Sequence, residues 1–201
     1  YLQSEQYASA LQAYRMAQLT QPTVVEWKAG VAQCLAEVGE SQEALKLIEE
    51  VVDSRPTEIS YQLLLIDLQL KLESELDAIA GLHLLHKQNL LGLDNLAILA
   101  SLYLREGDLR MARPLIEQLR AGLDPEMLPS YLSTISSVIG LSEWAYAQDL
   151  LESAKSIDKS EKYLSQAQRL EAFVMIQQGE QGAIELLEKV VARNPLDGEA
   201  L

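Results

Sequence analysis

The segment EALKLIEEVVDSRP, Glu43 to Pro56, sets the reading of the whole chain, because its Ala44 and Pro56 recur at a fixed distance. One period of 34 residues back stand Ala10 and Pro22; one and two periods forward stand Ala78 and Ala112. AIELLEKVVARNP, Ala183 to Pro195, repeats the pattern near the far end. Within the segment Ala44, Leu47, Ile48, Val51 and Val52 fall on one face of a helix, at intervals of three and four. A fixed period of about 20 to 50 residues is the signature of a solenoid, in which each unit packs only on its neighbours. The expected fold is therefore all-α, a solenoid of antiparallel helix pairs.

Composition agrees with helices. Apolar residues make up 48% of the 201 residues and aromatic ones only 5%, so the core has to be built from Leu, Ala, Ile and Val. Thirty acidic residues against 16 basic ones give a formal charge of -14, which repels a phosphate backbone and disfavours nucleic acid as a partner. The same charge favours a basic partner segment, and it also keeps a long helical surface soluble. The richest apolar run, YQLLLIDLQL, is interrupted by Asp67 and Gln69, well short of the ~20 residues a bilayer span needs. The chain reads as soluble, cytoplasmic or periplasmic. Cys34 is the single cysteine and can form no internal disulfide; a buried structural thiol is its expected role. A start at Tyr1 without a signal peptide reads as a fragment truncated at both ends.

In order, the spacing predicts a partial unit over 1–22 and complete units over 23–56, 57–92, 93–123, 124–158 and 159–195, with the start of a further helix at 196–201. Tyr1 to Gln6 reads as the end of one helix and Tyr7 to Leu19 as the next. Thr23 to Glu26 has the form of a capping box, and Asp94 is the expected N-cap of the third complete unit. Gly39-Glu40, Gly107-Asp108 and Gly179-Glu180 mark turns between paired helices; Glu73-Ser74 and Ser142-Glu143 stand where such turns are due. Gly81 lies inside a helix, where it costs roughly 1 kcal/mol relative to Ala, which implies close approach of a neighbouring helix. Pro114 also lies inside a helix and is expected to disturb its first turns. Gly122 is placed as a helix C-cap.

Leu99-Ala100-x-x-Tyr103, Gly107-Asp108 and Ala112-x-x-x-Ile116, with Ala44-x-x-x-Ile48 and Pro56, resemble the tetratricopeptide repeat family over nearly the whole chain. The repeats depart from the family pattern: Ile or Leu replaces Phe, and Trp27 and Trp144 are not at the usual tryptophan position. The resemblance implies a right-handed superhelix of five to six units whose first helices line a concave groove that binds peptides or helices of other proteins. Carrying the family's inward positions over gives a candidate groove of Gln33, Leu63, Asp67, Leu70, Asp94, Ser101, Leu104, Leu132, Ser136, Ile139, Arg169 and Phe173. Glu26, Ala29, Ala36, Ser60, Ala97, Gln166 and Ile176 fall at further inward positions. The leading expectation is a scaffold for a protein or peptide partner, with a basic or an apolar segment or an amphipathic helix in the groove. The family's carboxylate clamp is absent, since its places carry Ala29, Gln33, Leu64, Asp94 and Ile98 in one frame and Leu63, Asp67, Ile98, Pro129 and Ser133 in the next.

The alternatives are self-association through end helices and a regulatory or assembly domain of a larger enzyme or machine. Catalysis is not expected, and no cofactor is called for. His83 and His86 are the only imidazoles; three residues apart on a helix they could share a metal, but they read as solvated surface groups. No phosphate loop, Ser-His-Asp order or Cys-His pair is legible. The acidic run Glu49, Glu50 and Asp53 reads as a wet helix face.

Overall fold

The apolar periodicity of each segment is realised as helix throughout. The computed structural model describes residues 2–157 and 161–193, with no strand among them. The chain divides into two compact units, Tyr1–Leu90 and Leu91–Leu201. The first holds α1 (Leu2–Thr20), α2 (Val25–Val38), α3 (Ser41–Ser54), α4 (Ile59–Lys71) and α5 (Glu75–Lys87). The second holds α6 (Leu93–Arg105), α7 (Leu109–Ala121), α8 (Leu128–Gly140), α9 (Trp144–Ile157), α10 (Glu161–Gln178) and α11 (Ala183–Arg193). Within each unit the paired helices pack side by side, and alternate helices touch as well: α2 with α4, α6 with α8, and α8 with α10. Each unit is thus a stack of helix pairs.

The small residues that set the period sit where two helices meet. Ala44, Ala78, Ala112 and Ala147 have no exposed surface, and Ala183 is 4% exposed. Four residues after each of the first four, Ile48, Leu82, Ile116 and Leu151 are also fully buried. A methyl group at the contact lets α3, α5, α7 and α9 lie close against α2, α4, α6 and α8, and the branched side chain one turn on fills the space beside it. Burying each such Leu or Ile contributes roughly 1.5–3 kcal/mol.

One kind of turn joins the two helices of every pair. Gly39, Glu73, Gly107, Ser142 and Gly179 all adopt left-handed backbone, with φ between 61° and 93°. The next residue in each case donates its N–H to the carbonyl five residues back: Glu40 to Leu35, Ser74 to Gln69, Asp108 to Tyr103, Glu143 to Val138 and Glu180 to Met175, at 2.8–3.4 Å. These are Schellman closures. Glu73 and Ser142 make the turn without glycine, at the places where the sequence lacks one.

The caps differ from expectation. α2 starts at Val25 with Val24 as N-cap and no side-chain bond, so the capping box at Thr23 does not form; Glu26 instead pairs with Arg55 at 3.3 Å. Gly92 caps α6, and Asp94 lies in its first turn, where its charge complements the helix dipole. Asp108 caps α7 with its side chain, its Oδ1 accepting from Met111 N–H at 3.1 Å. The break expected near Gln6 is absent, because α1 runs unbroken from Leu2 to Thr20. α7 likewise continues through Pro114. Gly122 caps α7 with an ordinary negative φ; what it supplies is space, since a Cβ there would stand 3.0 Å from Leu93 Cδ1.

Two more glycines mark close approaches. A Cβ on Gly81 would lie 2.9 Å from Ile66 Cγ1 of α4, so the helix expected to crowd this position is α4. A Cβ on Gly30 would lie 2.6 Å from Tyr14 Cε1, within the ring that α1 lays across α2. Pro195, the boundary between 158 and 159, and the further helix expected over 196–201 lie outside the described residues.

Candidate functional site

The second unit brings several expected groove residues together. On α8, Tyr131, Ile135 and Val138 turn into the core and leave Ser133 and Ser136 exposed. On α10, Ala167, Ala172 and Val174 are buried, while Gln166, Arg169, Phe173 and Ile176 follow one another at intervals of three and four along another face. Between the two helices runs a cleft of about 310 Å³ lined by Leu132, Ser133, Ser136, Gln166, Arg169 and Leu170. Its walls offer two hydroxyls, an amide and a guanidinium, over a floor of two leucines. One and two turns beyond Arg169, Phe173 is 45% exposed and Ile176 51% exposed. The Phe173 ring is held by Trp144 of α9, centroid to centroid 6.4 Å at 59°.

Leu132, Ser136 and Arg169 therefore share one site, with Phe173 on the same helix face as Arg169. Of the expected groove residues, Leu104, Leu132 and Ile139 are 2%, 0% and 6% exposed, and Leu132 forms part of the buried floor of the cleft. The cause is the layering, in which α8 lies against both α6 and α10, so side chains on either flank are covered. Ala29, Ala36 and Ala97 are buried for the same reason. On α6, Asp94 is exposed and Ser101 half-buried. In the first unit Gln33 and Asp67 are exposed, and Leu63 and Leu70 half-buried, on α2 and α4. Asp67 is taken up by Lys71 at 2.8 Å, a bond that raises the Lys71 pKa.

A second polar cluster ties α7 to α9. Arg120 donates two hydrogen bonds to Asp149, at 2.6 and 3.1 Å, and they hold the Asp149 carboxyl below its ordinary pKa. The Tyr146 hydroxyl donates to Glu117 Oε1 at 2.9 Å, and Arg113 lies 4.3 Å over the Tyr146 ring. Burial, then the bond to Glu117, pushes the Tyr146 pKa upward. Each of these groups is occupied with a neighbour, which reads as a clasp between helices.

Other chemistry is sparse. Cys34 is 3% exposed, and burial followed by the nearby Glu37 charge raises its pKa, which suppresses the reactive thiolate. Burial, Lys87 and His86 lower the His83 pKa. No cluster of three or more metal-binding side chains occurs among the described residues. No described helix is long and apolar enough to cross a membrane.

No protein-family profile matches the sequence, and no curated protein sequence does. Solved structures do match. The C-terminal part of a TPR repeat-containing protein from Cytophaga hutchinsonii superposes with a TM-score of 0.75 at 15% identity, over 93% of this chain and 74% of that one. MamA superposes at 0.73 with 16% identity, over 85% of this chain and 92% of its own. YrrB, a TPR protein with an unusual peptide-binding site, superposes at 0.70 with 14% identity, over 95% of this chain and 97% of that one. The fold is that of the tetratricopeptide repeat. Its repeats are degenerate here: in this tetratricopeptide fold, Glu73 and Ser142 hold two of the turns that glycine holds elsewhere in the chain.

Proposed function

We propose that the chain is a protein-interaction scaffold that holds a peptide segment of a partner in the cleft between α8 and α10. The observation that carries this reading is the cleft itself, with Ser133, Ser136, Gln166 and Arg169 around a leucine floor and the exposed Phe173 and Ile176 continuing along the same helix. A few convergent polar groups beside apolar surface are what fixes and orients a bound segment. At about 310 Å³ the cleft has the size for a side chain or two, and the Phe173–Ile176 ridge suits the apolar face of an amphipathic or extended peptide. The peptide-binding character of YrrB agrees with this use of the fold.

The test is selection of peptides from a displayed random library against the folded chain, followed by fluorescence anisotropy. Phe173→Ala and Arg169→Ala each weaken the selected peptides about tenfold or more, as expected of an aromatic or arginine hot spot. Ile184→Ala, on the exposed side of α11, leaves them unchanged. Peptides that bind equally well to all three variants reject the cleft.

A further inference from the structure

Within the first unit, α5 carries an apolar face that α1 to α4 leave uncovered among the described residues. Ala78, Leu82 and Leu85 are fully buried on its inner side; on the opposite side Leu76 is 75% and Leu84 53% exposed, with Ala80 exposed between them. The three recur at i, i+4 and i+8, a stripe about 12 Å long. The charges beside the stripe are sorted by sign. Glu73, in the turn before the helix, and Asp77, both exposed, stand at the Leu76 end; exposed Lys87 stands at the Leu84 end.

We propose that this face docks on the same face of a second copy of the chain, α5 against α5, antiparallel about a two-fold axis at Ala80. A two-fold interface must be complementary to itself, and this one is. Leu76 meets the partner's Leu84, Ala80 meets its own counterpart, and Glu73 comes opposite the partner's Lys87. The small side chain at the crossing point lets the helix axes approach. The antiparallel arrangement opposes the helix dipoles favourably and sets acid over base at both ends, whereas a parallel pairing would stack acid on acid. A single helix pair covers less area than the roughly 1,200–2,000 Å² of a standard interface, so the dimer is weak and concentration-dependent. It goes beyond the peptide reading, and it places two clefts in one particle, which raises avidity for a partner with two copies of a motif.

Sedimentation equilibrium of the full chain tests this. The wild type shows a monomer–dimer equilibrium by about millimolar concentration. Leu84→Glu weakens dimerisation tenfold or more at unchanged melting temperature, because the side chain is exposed. Lys87→Glu and Glu73→Lys each weaken it several-fold by bringing like charges together, and mixing these two variants in equal amounts restores association as a heterodimer. A chain that stays monomeric at every concentration overturns the proposal. So does a dimer indifferent to Leu84→Glu, which would move the contact to other exposed apolar residues such as Met16 and Leu19 of α1.

Discussion

Replacing Gly30 with alanine sets two effects of opposite sign against each other, and the contact with Tyr14 decides between them. Gly30 lies in the middle of α2, where Ala is more favourable than Gly by about 1 kcal/mol. The added Cβ, however, would stand 2.6, 2.7 and 2.9 Å from Cε1, Cδ1 and Cγ of the Tyr14 ring. Carbon atoms pack at about 3.5–4.0 Å, so the ring has to recede by roughly 1 Å. It has little room to do so, because it also lies against Trp27 at 6.2 Å between centroids. Overpacking of this kind costs about 1–3 kcal/mol. Taking its middle value against the helix gain leaves Gly30→Ala destabilising by about 1 kcal/mol. In a Tyr14→Ala background the obstruction is gone, and the same substitution stabilises by about 1 kcal/mol. Urea denaturation of the four proteins, with unchanged m-values as the condition for comparison, measures the cycle. The reasoning is refuted if Gly30→Ala has the same sign in both backgrounds.

Three further outcomes are expected. Glu73→Gly and Ser142→Gly each relieve about 1–2 kcal/mol of left-handed backbone strain and lose about 0.4–1 kcal/mol to the freer unfolded chain, so each stabilises by roughly 0.5–1 kcal/mol, while Gly107→Ala destabilises by a similar amount in thermal or urea unfolding. Ala112→Leu, placed in a contact with no exposed surface, costs about 1–3 kcal/mol or more, whereas Ala145→Leu on the exposed face of α9 stays within about 0.5 kcal/mol in the same assay. Burial raises the Tyr131 pKa to about 12, above its unfolded value of about 10, so its contribution is complete below pH 10 and is lost as pH rises from about 10 to about 12. Urea unfolding on that alkaline limb should show a shallower decline for Tyr131→Phe, and an unchanged slope counts against the argument.

How much of this was legible in the sequence depended on whether the information was local. The spacing of Ala44, Ala78 and Ala112 placed the helix contacts, because a small residue one turn before a branched one leaves few other ways for two helices to meet. Gly81 told of a close neighbour, and Ile66 supplies it. The caps were less legible: Thr23 and Asp94 have the right chemistry, but the entering chain sets Val24 and Gly92 at the helix starts. The exposure of the residues expected to face a groove was legible in part. Ser136 and Phe173 are exposed and Arg169 half-buried, whereas Leu104 and Ile139 are covered by helices one layer away and Leu132 lies in the buried floor of the cleft. No pattern within α6 or α8 records that layer. Nor does the sequence of α10 say that its Gln166–Arg169 face lines a cleft with α8 rather than standing alone.

The hairpin tips at Gly39, Glu73, Gly107, Ser142 and Gly179 ask for a left-handed posture of the main chain, which glycine takes at least cost and which Glu73 and Ser142 take under strain. The α10–α11 tip is longer: with a second left-handed glycine at Gly182, α11 begins only at Ala183, four residues after Gly179, whereas α7 begins two residues after Gly107. A designer wishing to graft a loop, a tag or a recognition segment onto this scaffold has five separate points of attachment, each outside the buried layers.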